Sequence, residues 1–510
     1  MFSKNYYSPK ISSFLFIAVF TVLFFIYGFD DILLLRPQSV HQWRQCDCLA
    51  FTQTYYKDKN GFFEPKVLYL GDDNTGKTAT EFPIIYYTIA QIWKIFGKHE
   101  YIYRAFVLLL SFIGLFSLFK MSEDILEDSY LALWISFILF SSPMLVYYAN
   151  NFLMNVPAFS IALVALYYFY LFYKFSDNKY LYISTILYTL SGLIKIPALT
   201  SFVAILGLLV FEQLKFIKSD KKIFFDLKRQ LPALLLVILL VSLWYYYAAH
   251  YNAQHNSGMF LIGILPIWLD DIARLKHILQ NIQLLWIDSY QGISIQITAV
   301  IMFLLIILLK KYNNKHLWWI NLFLFIGFIG FIILWFDVFD NHDYYLINQL
   351  IFMISIFVSF FFSLKKYNLK IFNHAAFRLV LFILLIFNII HCKNVIKLRY
   401  NGWPNQHHLT VVKPLETITP YLRSIGITDK DTVLFIQDPS LNISLYLMEQ
   451  KGYTNFAAKI ENVDFIKEKI NSGAKYLFVN DPNYLNKDYL KPFLKNRVGA
   501  YENIMIYKVK

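Results

Sequence analysis

The sequence predicts an α-helical polytopic membrane protein with a small α/β domain at its carboxyl end. Hydrophobic residues make up 57% and aromatic residues 19% of the 510 residues, and the mean hydropathy is +0.46. A soluble core of this size could not bury so much apolar surface, so the chain must lie in a bilayer. The tail after residue 392 differs, because short strand-like and helix-like segments alternate there, as is typical of a small α/β domain.

Apolar runs long enough to cross a bilayer recur along the first 392 residues. A membrane-spanning helix needs roughly 17 to 25 residues, and the hydropathy of the chain predicts about eleven such spans. They lie near residues 11–28, 103–120, 129–148, 155–173, 179–195, 197–213, 231–249, 292–310, 317–335, 346–364 and 375–392. We therefore expect residues 1–392 to form one transmembrane module.

The distribution of Lys and Arg among the loops predicts the orientation of the chain. Loops 215–230, 310–316 and 365–370 are strongly basic, whereas loops 148–155 and 336–345 contain no Lys or Arg. Basic loops stay on the cytoplasmic side, which places the amino terminus there too. The net charge of +13 therefore indicates anchoring against anionic lipid, and nucleic acid is not an expected partner.

Three sizeable pieces are expected outside the cytoplasm, namely residues 29–102, residues 249–291 and a soluble α/β domain at 393–510. In this last domain, strands are predicted at 432–437, 453–457, 475–480 and 503–509, and helices at 440–449, 463–473 and 486–497. The domain has no glycine-rich phosphate loop and no catalytic triad. A lid or docking module is therefore the interpretation that we favour for it.

The first outer loop, residues 29–102, has the richest set of chemically active side chains. HQWRQCDCLAF (41–51) is predicted to be a helix in which Arg44 and Asp47 share a face, with Trp43 one turn before Asp47. The pattern favours a site that presents an acid and a cation at the membrane surface, with Trp43 and Gln45 as further candidates for substrate contact. An exposed Arg44–Asp47 ion pair, worth little to stability, is the structural alternative.

The same loop carries a second carboxylate, Glu81. The polar stretch 69–83 ends in Glu81-Phe82-Pro83 and continues into an apolar stretch, 83–97, that is short for a span and is expected to lie at the interface or on the bundle. Asp47 and Glu81 would then meet at the membrane surface from the two ends of the loop. The alternative is that Glu81 is only an acid at a helix start, where the helix dipole favours it.

A second polar cluster is predicted at NHDYY, residues 341–345, where a late span begins. His342, Asp343 and Tyr345 are candidates for substrate binding, with ordinary loop capping as the alternative. Asn155 follows another outer loop, where an amide suits hydroxyl groups as well as helix capping. Adjacent His and Asp residues are not a ligand set, so no metal site is predicted.

The three cysteines indicate neither a disulfide framework nor a zinc site. Cys46 and Cys48 are two residues apart in the predicted helix, a spacing that points their side chains away from each other, and Cys392 lies at the end of a span. We therefore expect free thiols.

These features together resemble the GT-C glycosyltransferases that use polyprenyl-phosphate sugars, above all glycosyltransferase family 39, the protein O-mannosyltransferases and the aminoarabinose transferases. The resemblance rests on a first span, an outer loop with a charged helix, the acidic-x-Pro element Glu81-Phe82-Pro83, and FGKHEYIYR (96–104). Many members begin this loop with Asp-Glu, whereas this chain has QWRQCD, which makes Asp47 the nearest carboxylate. The common Glu-Lys-Pro element keeps its acid and proline here and loses its cation.

The resemblance implies a GT-C fold and a multi-pass protein of the bacterial cytoplasmic (inner) membrane. The active site and the carboxyl-terminal domain would face the periplasm. The donor would be a polyprenyl-phosphate sugar, and the acceptor a hydroxyl of a protein, a lipid or a glycan. A requirement for a divalent cation is left open.

The chemistry of such a transfer assigns roles to the charged residues. An acceptor hydroxyl loses its proton as it attacks the anomeric carbon, and Asp47 is the candidate base, with Glu81 as a second catalytic candidate. The leaving phosphate needs a cation. Arg44, Arg104 and Lys195 are the candidates, because each lies near an outer membrane boundary, where Arg104 and Lys195 could equally be snorkelling side chains.

Other classes of membrane protein fit less well. A secondary transporter would show charges in mid-span and often two related halves, whereas most charges here lie at span boundaries and no convincing repeat is found. A polysaccharide polymerase or ligase would also use lipid-linked sugars, but its main functional loop is expected between late spans. A membrane scaffold gives no reason for the charged helix of the first loop.

Overall fold

The computed structural model describes residues 8–219, 221–261, 263–401, 408–456 and 462–510. Its chain divides into two compact units. The helical unit comprises Met1–Leu33, Arg104–Trp244 and Gly263–Ile396, and the mixed unit comprises Leu34–Tyr103, Tyr245–Ile262 and Lys397–Lys510. Most of the first predicted outer loop therefore belongs to the same unit as the carboxyl-terminal tail.

Helices account for most of the regular structure. In chain order they are α1 (Pro9–Ile26), α2 (Phe29–Leu33), α3 (Gln42–Lys57), α4 (Ile84–Phe96), α5 (Glu100–Leu126), α6 (Ser129–Leu139), α7 (Pro143–Ala149), α8 (Asn155–Phe175), α9 (Asn178–Ile194), α10 (Thr200–Gln213), α11 (Leu227–Gln254), α12 (Ile272–Asn281), α13 (Ile287–Tyr290), α14 (Ile293–Leu308), α15 (Lys315–Leu334), α16 (Leu350–Tyr367), α17 (Leu369–Phe372), α18 (Ala375–Asn401), α19 (Thr419–Ser424), α20 (Ile443–Leu447) and α21 (Val463–Asn471). The strands are β1 (Thr432–Ile436), β2 (Lys451–Thr454), β3 (Tyr476–Val479), β4 (Arg497–Tyr501) and β5 (Ile504–Lys508).

The long apolar helices make the chain a multi-pass membrane protein. Among the described residues, 8 helices are long and apolar enough to cross a membrane, or up to 10 if each of two bent helix pairs is one span. The bent pairs are α6 with α7, at 76°, and Ile272–Tyr290 with α14, at 87°. Predicted spans 129–148 and 292–310 fall on these pairs, and 179–195 falls on α9, which has 17 residues. Every predicted span is helical, while the count of about eleven stays a prediction.

Small and hydroxyl-bearing residues let the helices of the helical unit approach closely. The Ser184 hydroxyl on α9 donates to the Ala165 carbonyl on α8 at 2.8 Å. A Cβ atom added to Gly114 on α5 would lie 2.8 Å from the backbone of Ser160 on α8. Lipid tails are as apolar as the helix surfaces, so the hydrophobic effect does not drive helices together within a bilayer. Close packing and hydrogen bonds between helices, as seen here, stabilise the bundle instead.

In the mixed unit, the tail forms a five-stranded sheet in the order β2-β1-β3-β5-β4. Strands β2, β1 and β3 are parallel, and β5 runs antiparallel to both β3 and β4. The side chains of Leu434, Ile466 and Leu477 form the centre of its core and are fully buried. The small α/β domain predicted for the tail is therefore present.

The strands predicted at 432–437, 475–480 and 503–509 match β1, β3 and β5, and the helices predicted at 440–449 and 463–473 contain α20 and α21. The strand predicted at 453–457 shares only its first two residues with β2, and the helix predicted at 486–497 is wrong. The segment predicted at 453–457 overlaps β2, but residue 457 lies outside the described residues. The segment 486–497, predicted to be helical, contains the last residue of a 3₁₀-helix at Pro482–Asn486 and a second short 3₁₀-helix at Lys491–Phe493 before β4 begins. Pro492 explains the difference, because a proline removes a backbone donor and disfavours helix in the residue before it.

The first outer loop is bound to the edge of this sheet. The backbone N–H of Leu70 donates to the Gly452 carbonyl at 2.8 Å, and the N–H of Gly452 donates to the Leu68 carbonyl at 3.1 Å. Tyr69 thereby forms a parallel bridge with Gly452 beside β2. The tail and the loop that carries the predicted site are thus joined by backbone hydrogen bonds.

Candidate active site

The helix predicted at HQWRQCDCLAF is α3, and a tight turn fixes its start. His41, just before it, has a left-handed backbone with φ of 58°. The Gln45 side chain donates to the carbonyls of Gln38 and Val40, at 2.7 and 3.1 Å. Gln45, predicted to contact substrate, therefore holds the turn that sets the direction of α3. Trp43 is partly exposed, with its ring edge against Phe456 at 5.8 Å.

Arg44 and Glu81 form a buried ion pair. Arg44 Nη2 donates to both carboxylate oxygens of Glu81, at 3.0 and 2.7 Å, and the two side chains are 16% and 5% exposed. The Thr80 hydroxyl donates to the same carboxylate at 2.5 Å. The guanidinium also lies over the ring of Phe260 at 5.3 Å. Glu81 is therefore the fixed partner of Arg44, and its role at the start of α4 is secondary.

The loop that carries Glu81 is fixed by an amide from the end of α11. Asn252 Oδ1 accepts from the N–H of Ala79 at 2.6 Å, and Asn252 Nδ2 donates to the carbonyl of Ala79 at 2.9 Å. The Ser257 hydroxyl donates to that of Thr78 at 2.5 Å. Because these bonds hold the backbone on the amino-terminal side of Glu81, the carboxylate has a defined position opposite α3.

Asp47 lies on the same face of α3 as Arg44 and is 3% exposed. Its Oδ1 accepts a hydrogen bond from Asn442 Nδ2 at 2.8 Å, and its Oδ2 lies 4.0 Å from Arg44 Nη1. Burial raises the pKa of Asp47 to about 7, although Arg44 and Asn442 both act to lower it. The carboxyl therefore titrates near neutral pH, as suits a general base.

The remaining walls of this site are aromatic and apolar. The ring of Tyr86 stacks on Phe51 at 5.2 Å, and its hydroxyl lies 3.4 Å from Glu81 Oε2 and 3.6 Å from Cys48 Sγ. Burial raises the pKa of the Cys48 thiol to about 11 and that of Tyr86 well above its usual value. Both groups are therefore neutral, and the charges at the site belong to the acids and Arg44.

Asn442 is a member of the site that the sequence did not indicate. It lies in the tail, 395 residues from Asp47, in the segment DPSLN that follows β1. Four polar or turn-forming residues within five were the available signal, but such a run is also ordinary loop chemistry. Its partner in the first loop cannot be identified without the tertiary structure.

The other predicted site residues lie in the helical unit, where several of them form a second cluster. Asp343 is fully buried and accepts from the Tyr148 hydroxyl at 2.5 Å. Asn155 Nδ2 donates to the carbonyl of Tyr344 at 3.2 Å. This set brings a carboxylate from one segment of the chain together with a phenol and an amide from another.

Three further predicted residues have aromatic neighbours in the same unit. Lys195 Nζ lies 5.1 Å from the ring centre of Tyr345, and the His342 ring lies edge-on to Tyr345 at 6.3 Å. The second cluster therefore contains Lys195, His342 and Tyr345 as well. NHDYY and Lys195, which are far apart in sequence, are therefore close together in space.

Arg104, predicted either to bind phosphate or to snorkel, is held by contacts within the helical unit. It is fully buried, its Nη1 donates to the carbonyl of Asn150 at 2.5 Å, and its guanidinium lies 4.2 Å from the ring centre of Phe152. These contacts hold the turn after α7. Its predicted role as a cation for the leaving phosphate stays a prediction.

The arrangement of possible metal ligands was compared with that of metal-binding sites. Across the part of the chain that the structure describes, no group of three or more His, Cys, Asp and Glu side chains is arranged to hold a metal ion. All three cysteines are buried and outside any disulfide.

Comparisons with known proteins identify the class of this fold. A family model described as dolichyl-phosphate-mannose-protein mannosyltransferase matches residues 79–247. A sequence search of curated proteins found no match. Among solved structures, ArnT from Cupriavidus metallidurans in the apo state aligns with a TM-score of 0.59 at 12% identity and covers 99% of both chains.

Two further structures align equally well. ArnT from Cupriavidus metallidurans bound to undecaprenyl phosphate has a TM-score of 0.58 at 13% identity, with 99% of both chains covered. Arabinofuranosyltransferase AftD from Mycobacteria has a TM-score of 0.58 at 12% identity, and the alignment covers 99% of this chain but 40% of AftD. The protein therefore has the fold of the GT-C glycosyltransferases. More particularly, the fold resembles that of ArnT over nearly the whole of both chains.

Proposed function

We propose that this protein is a membrane glycosyltransferase that moves a sugar from a polyprenyl-phosphate donor to an acceptor hydroxyl. The GT-C fold supports the class of reaction, and the structure of ArnT bound to undecaprenyl phosphate supports the class of donor. The observation that carries the proposal is Asp47, a buried carboxyl beside a buried cation, with a pKa of about 7.

Asp47 acts as the general base. Within the described residues its Oδ2 accepts no hydrogen bond and faces Arg44 Nη1 at 4.0 Å, so this oxygen takes the proton of the acceptor hydroxyl. A base works best when its pKa lies near the operating pH, because it is then ionised and still basic. Direct attack by that hydroxyl on the anomeric carbon inverts the configuration of the sugar.

Arg44 stabilises the leaving phosphate. Its Nη2 is occupied by Glu81, whereas Nη1 has no hydrogen-bond acceptor among the described residues, so one face of the guanidinium is left for a phosphate oxygen. Charge-assisted bonds of this kind are strong in a site closed to water. Glu81 accordingly acts through Arg44, by holding the guanidinium in place.

The second cluster, in the helical unit, is proposed to bind substrate. Asp343, Asn155 and His342 offer acceptors and donors for hydroxyl groups, and Lys195 with Tyr345 offers a cation beside an aromatic ring. The acceptor is a hydroxyl of an exported protein, a lipid or an envelope glycan. We place the reaction at the periplasmic face of the bacterial inner membrane, because the positive-inside rule puts the loops of both clusters there. We keep 1–392 as the transmembrane module and 393–510 as the soluble domain.

The decisive experiment is sugar transfer in membranes from a panel of synthetic polyprenyl-phosphate sugars. Wild type is compared with Asp47→Asn and with Asp58→Asn at matched expression. Asp58 follows α3 directly and pairs with Lys451 at 2.7 Å, so its substitution removes a carboxylate near the same helix without touching the site.

Transfer by wild type and Asp58→Asn but not by Asp47→Asn supports the proposal and identifies the donor. Transfer that survives in Asp47→Asn would assign the base to another carboxylate, either Glu81 or Asp343. A wild-type protein that uses no donor of the panel would contradict the transferase reaction and favour a polymerase or ligase.

A further inference from the structure

Asn442 is the N-cap residue of α20, but its side chain does not cap the helix. An Asn there normally accepts a hydrogen bond from the first turn of the helix, but the Asn442 side chain makes no such bond. Ser440 Oγ accepts from the N–H of Ile443 at 2.9 Å, and Asp438 Oδ2 accepts from that of Ser444 at 2.9 Å. Because these two residues satisfy the helix start, the Asn442 amide is left for other partners.

Both ends of the Asn442 amide bind the first outer loop. Its Oδ1 accepts from the backbone N–H of Tyr69 at 3.1 Å, and its Nδ2 donates to Asp47 Oδ1 at 2.8 Å. Asn442 is fully buried, so neither bond is shared with bulk water. The oxygen of the amide is thus fixed by the loop, and this orientation turns the NH₂ group towards the carboxylate.

The segment around Asn442 is itself held firmly. Asn455 Oδ1 accepts from the N–H of Asp438 at 2.7 Å, and the Thr454 hydroxyl donates to the Ser440 carbonyl at 2.6 Å. Both of these partners lie at the end of β2 or just after it. The position of the amide therefore depends on the folded sheet of the tail.

We propose that Asn442 is a positioning residue of the active site, by which the carboxyl-terminal domain orients Asp47 and keeps it ionised. This inference rests on the proposed role of Asp47 as the base. The bond occupies Oδ1 and leaves Oδ2 for the acceptor hydroxyl. It also favours the charged carboxylate, because a donor to a carboxylate stabilises the ionised form. The tail is then a working part of the site rather than only a lid or docking module.

The other groups that act on Asp47 come from three elements. Arg44, on α3, favours the ionised carboxylate, whereas Glu81 and Asp438 oppose it by like charge. Cys46 and Cys48 flank it on α3, and burial keeps both thiols neutral by raising their pKa. Asn442 is therefore the neutral donor in a set whose other members are charged or sequence neighbours.

The test is the dependence of kcat/KM on pH for wild type, Asn442→Leu and Asn442→Asp, using the donor that supports wild-type transfer. Leu keeps the size of the side chain and removes both hydrogen bonds. Asp keeps an acceptor for Tyr69 but replaces the donor with a carboxylate. Asn480→Leu is the matched control, because Asn480 is a buried amide of the same domain that bonds to the backbone of Gln437, at 2.9 and 3.2 Å.

The acid limb of the profile is the pH range in which kcat/KM falls as the pH decreases. We expect this limb to move to higher pH by about one unit in Asn442→Leu. It should move further in Asn442→Asp, because the added carboxylate repels the charge of Asp47. The limb should stay in place in Asn480→Leu, even if that variant is less stable. A purely structural role predicts the opposite ranking, since Asn442→Asp retains the bond to Tyr69 and would behave most like wild type.

An unmoved acid limb in both Asn442 variants overturns the inference. Asn442→Asp supplies the answer if Asn442→Leu fails to fold. Asp47→Asn is measured in the same preparations to separate the two ideas. If it is inactive while the Asn442 limbs do not move, only the role of Asn442 is wrong. If it is active, the base assignment and this inference both fail.

Discussion

Replacing Asp47 with Asn should stabilise the fold while it abolishes transfer. The carboxyl has a pKa of 3.8 when unperturbed and about 7 in the folded protein, a rise of about three units. At about 1.36 kcal/mol per unit, ionising this buried group reduces the free energy of unfolding by up to about 4 kcal/mol. Asn cannot ionise, so Asp47→Asn recovers this amount.

The sign of the effect fixes its pH dependence. A folded-state pKa above the unfolded value means that the carboxyl favours the folded state below pH 4 and loses that contribution as the pH rises to about 7. The advantage of Asp47→Asn should therefore be about 1.6 kcal/mol at pH 5 and reach its full value of about 4 kcal/mol at pH 8. Below pH 4 the two proteins should be equally stable.

Thermal unfolding in detergent, followed by the fluorescence of the 10 tryptophans at pH 5 and pH 8, measures this difference at one scan rate. Asp58→Asn is the control, because it loses a partly exposed ion pair worth at most about 1 kcal/mol. A variant Asp47→Asn that is no more stable than wild type at pH 8, or that gains equally at both pH values, would refute the reasoning. It would mean that Asp47 is solvated or fully compensated by Arg44.

Three more substitutions test the surroundings of the site. Glu81→Gln leaves Arg44 buried without its closest anion and should reduce stability by on the order of 3 kcal/mol; a wild-type thermal midpoint would contradict this. Gly452→Ala would place a Cβ atom 1.9 Å from the Val433 carbonyl oxygen, so limited proteolysis should cut the tail faster than in wild type, and equal resistance would show that β1 and β2 can separate freely. In a variant that keeps Cys48 alone, the raised thiol pKa of about 11 leaves about one thiolate in a thousand at pH 8, so maleimide should label it only after denaturation, and rapid labelling of the folded protein would indicate an open site.

The charged part of the site follows from local patterns. A separation of three residues on a helix puts Arg44 and Asp47 on one face, and the two ends of a single loop bring Glu81 to them. What the sequence did not show is which acid pairs with Arg44. The spacing favoured Asp47, but Glu81 is closer, because tertiary contacts at Ala79 fix its position.

Residues that act through distant partners were the least predictable. Gln45 and Arg104 are polar side chains in apolar surroundings, a setting that fits a substrate site and a buried backbone contact equally well. Asn442 resembles many loop amides until β1 and β2 place it against α3. In the tail, short strand-like segments that alternate with helix-like segments predicted most of the sheet, while Pro492 and the bulged pairing of β4 with β5 obscured its edge.

The hydrogen bond between Asp47 and Asn442 can form only late in the synthesis of the protein. Its partners are 395 residues apart, so at about 5 to 20 residues per second a ribosome needs about 20 to 80 s between them. The helix that carries Asp47 is therefore synthesised long before the amide that completes its surroundings exists. A chain that terminates after residue 392 but before Asn442 therefore contains every predicted span but cannot form the hydrogen bond that completes the surroundings of Asp47.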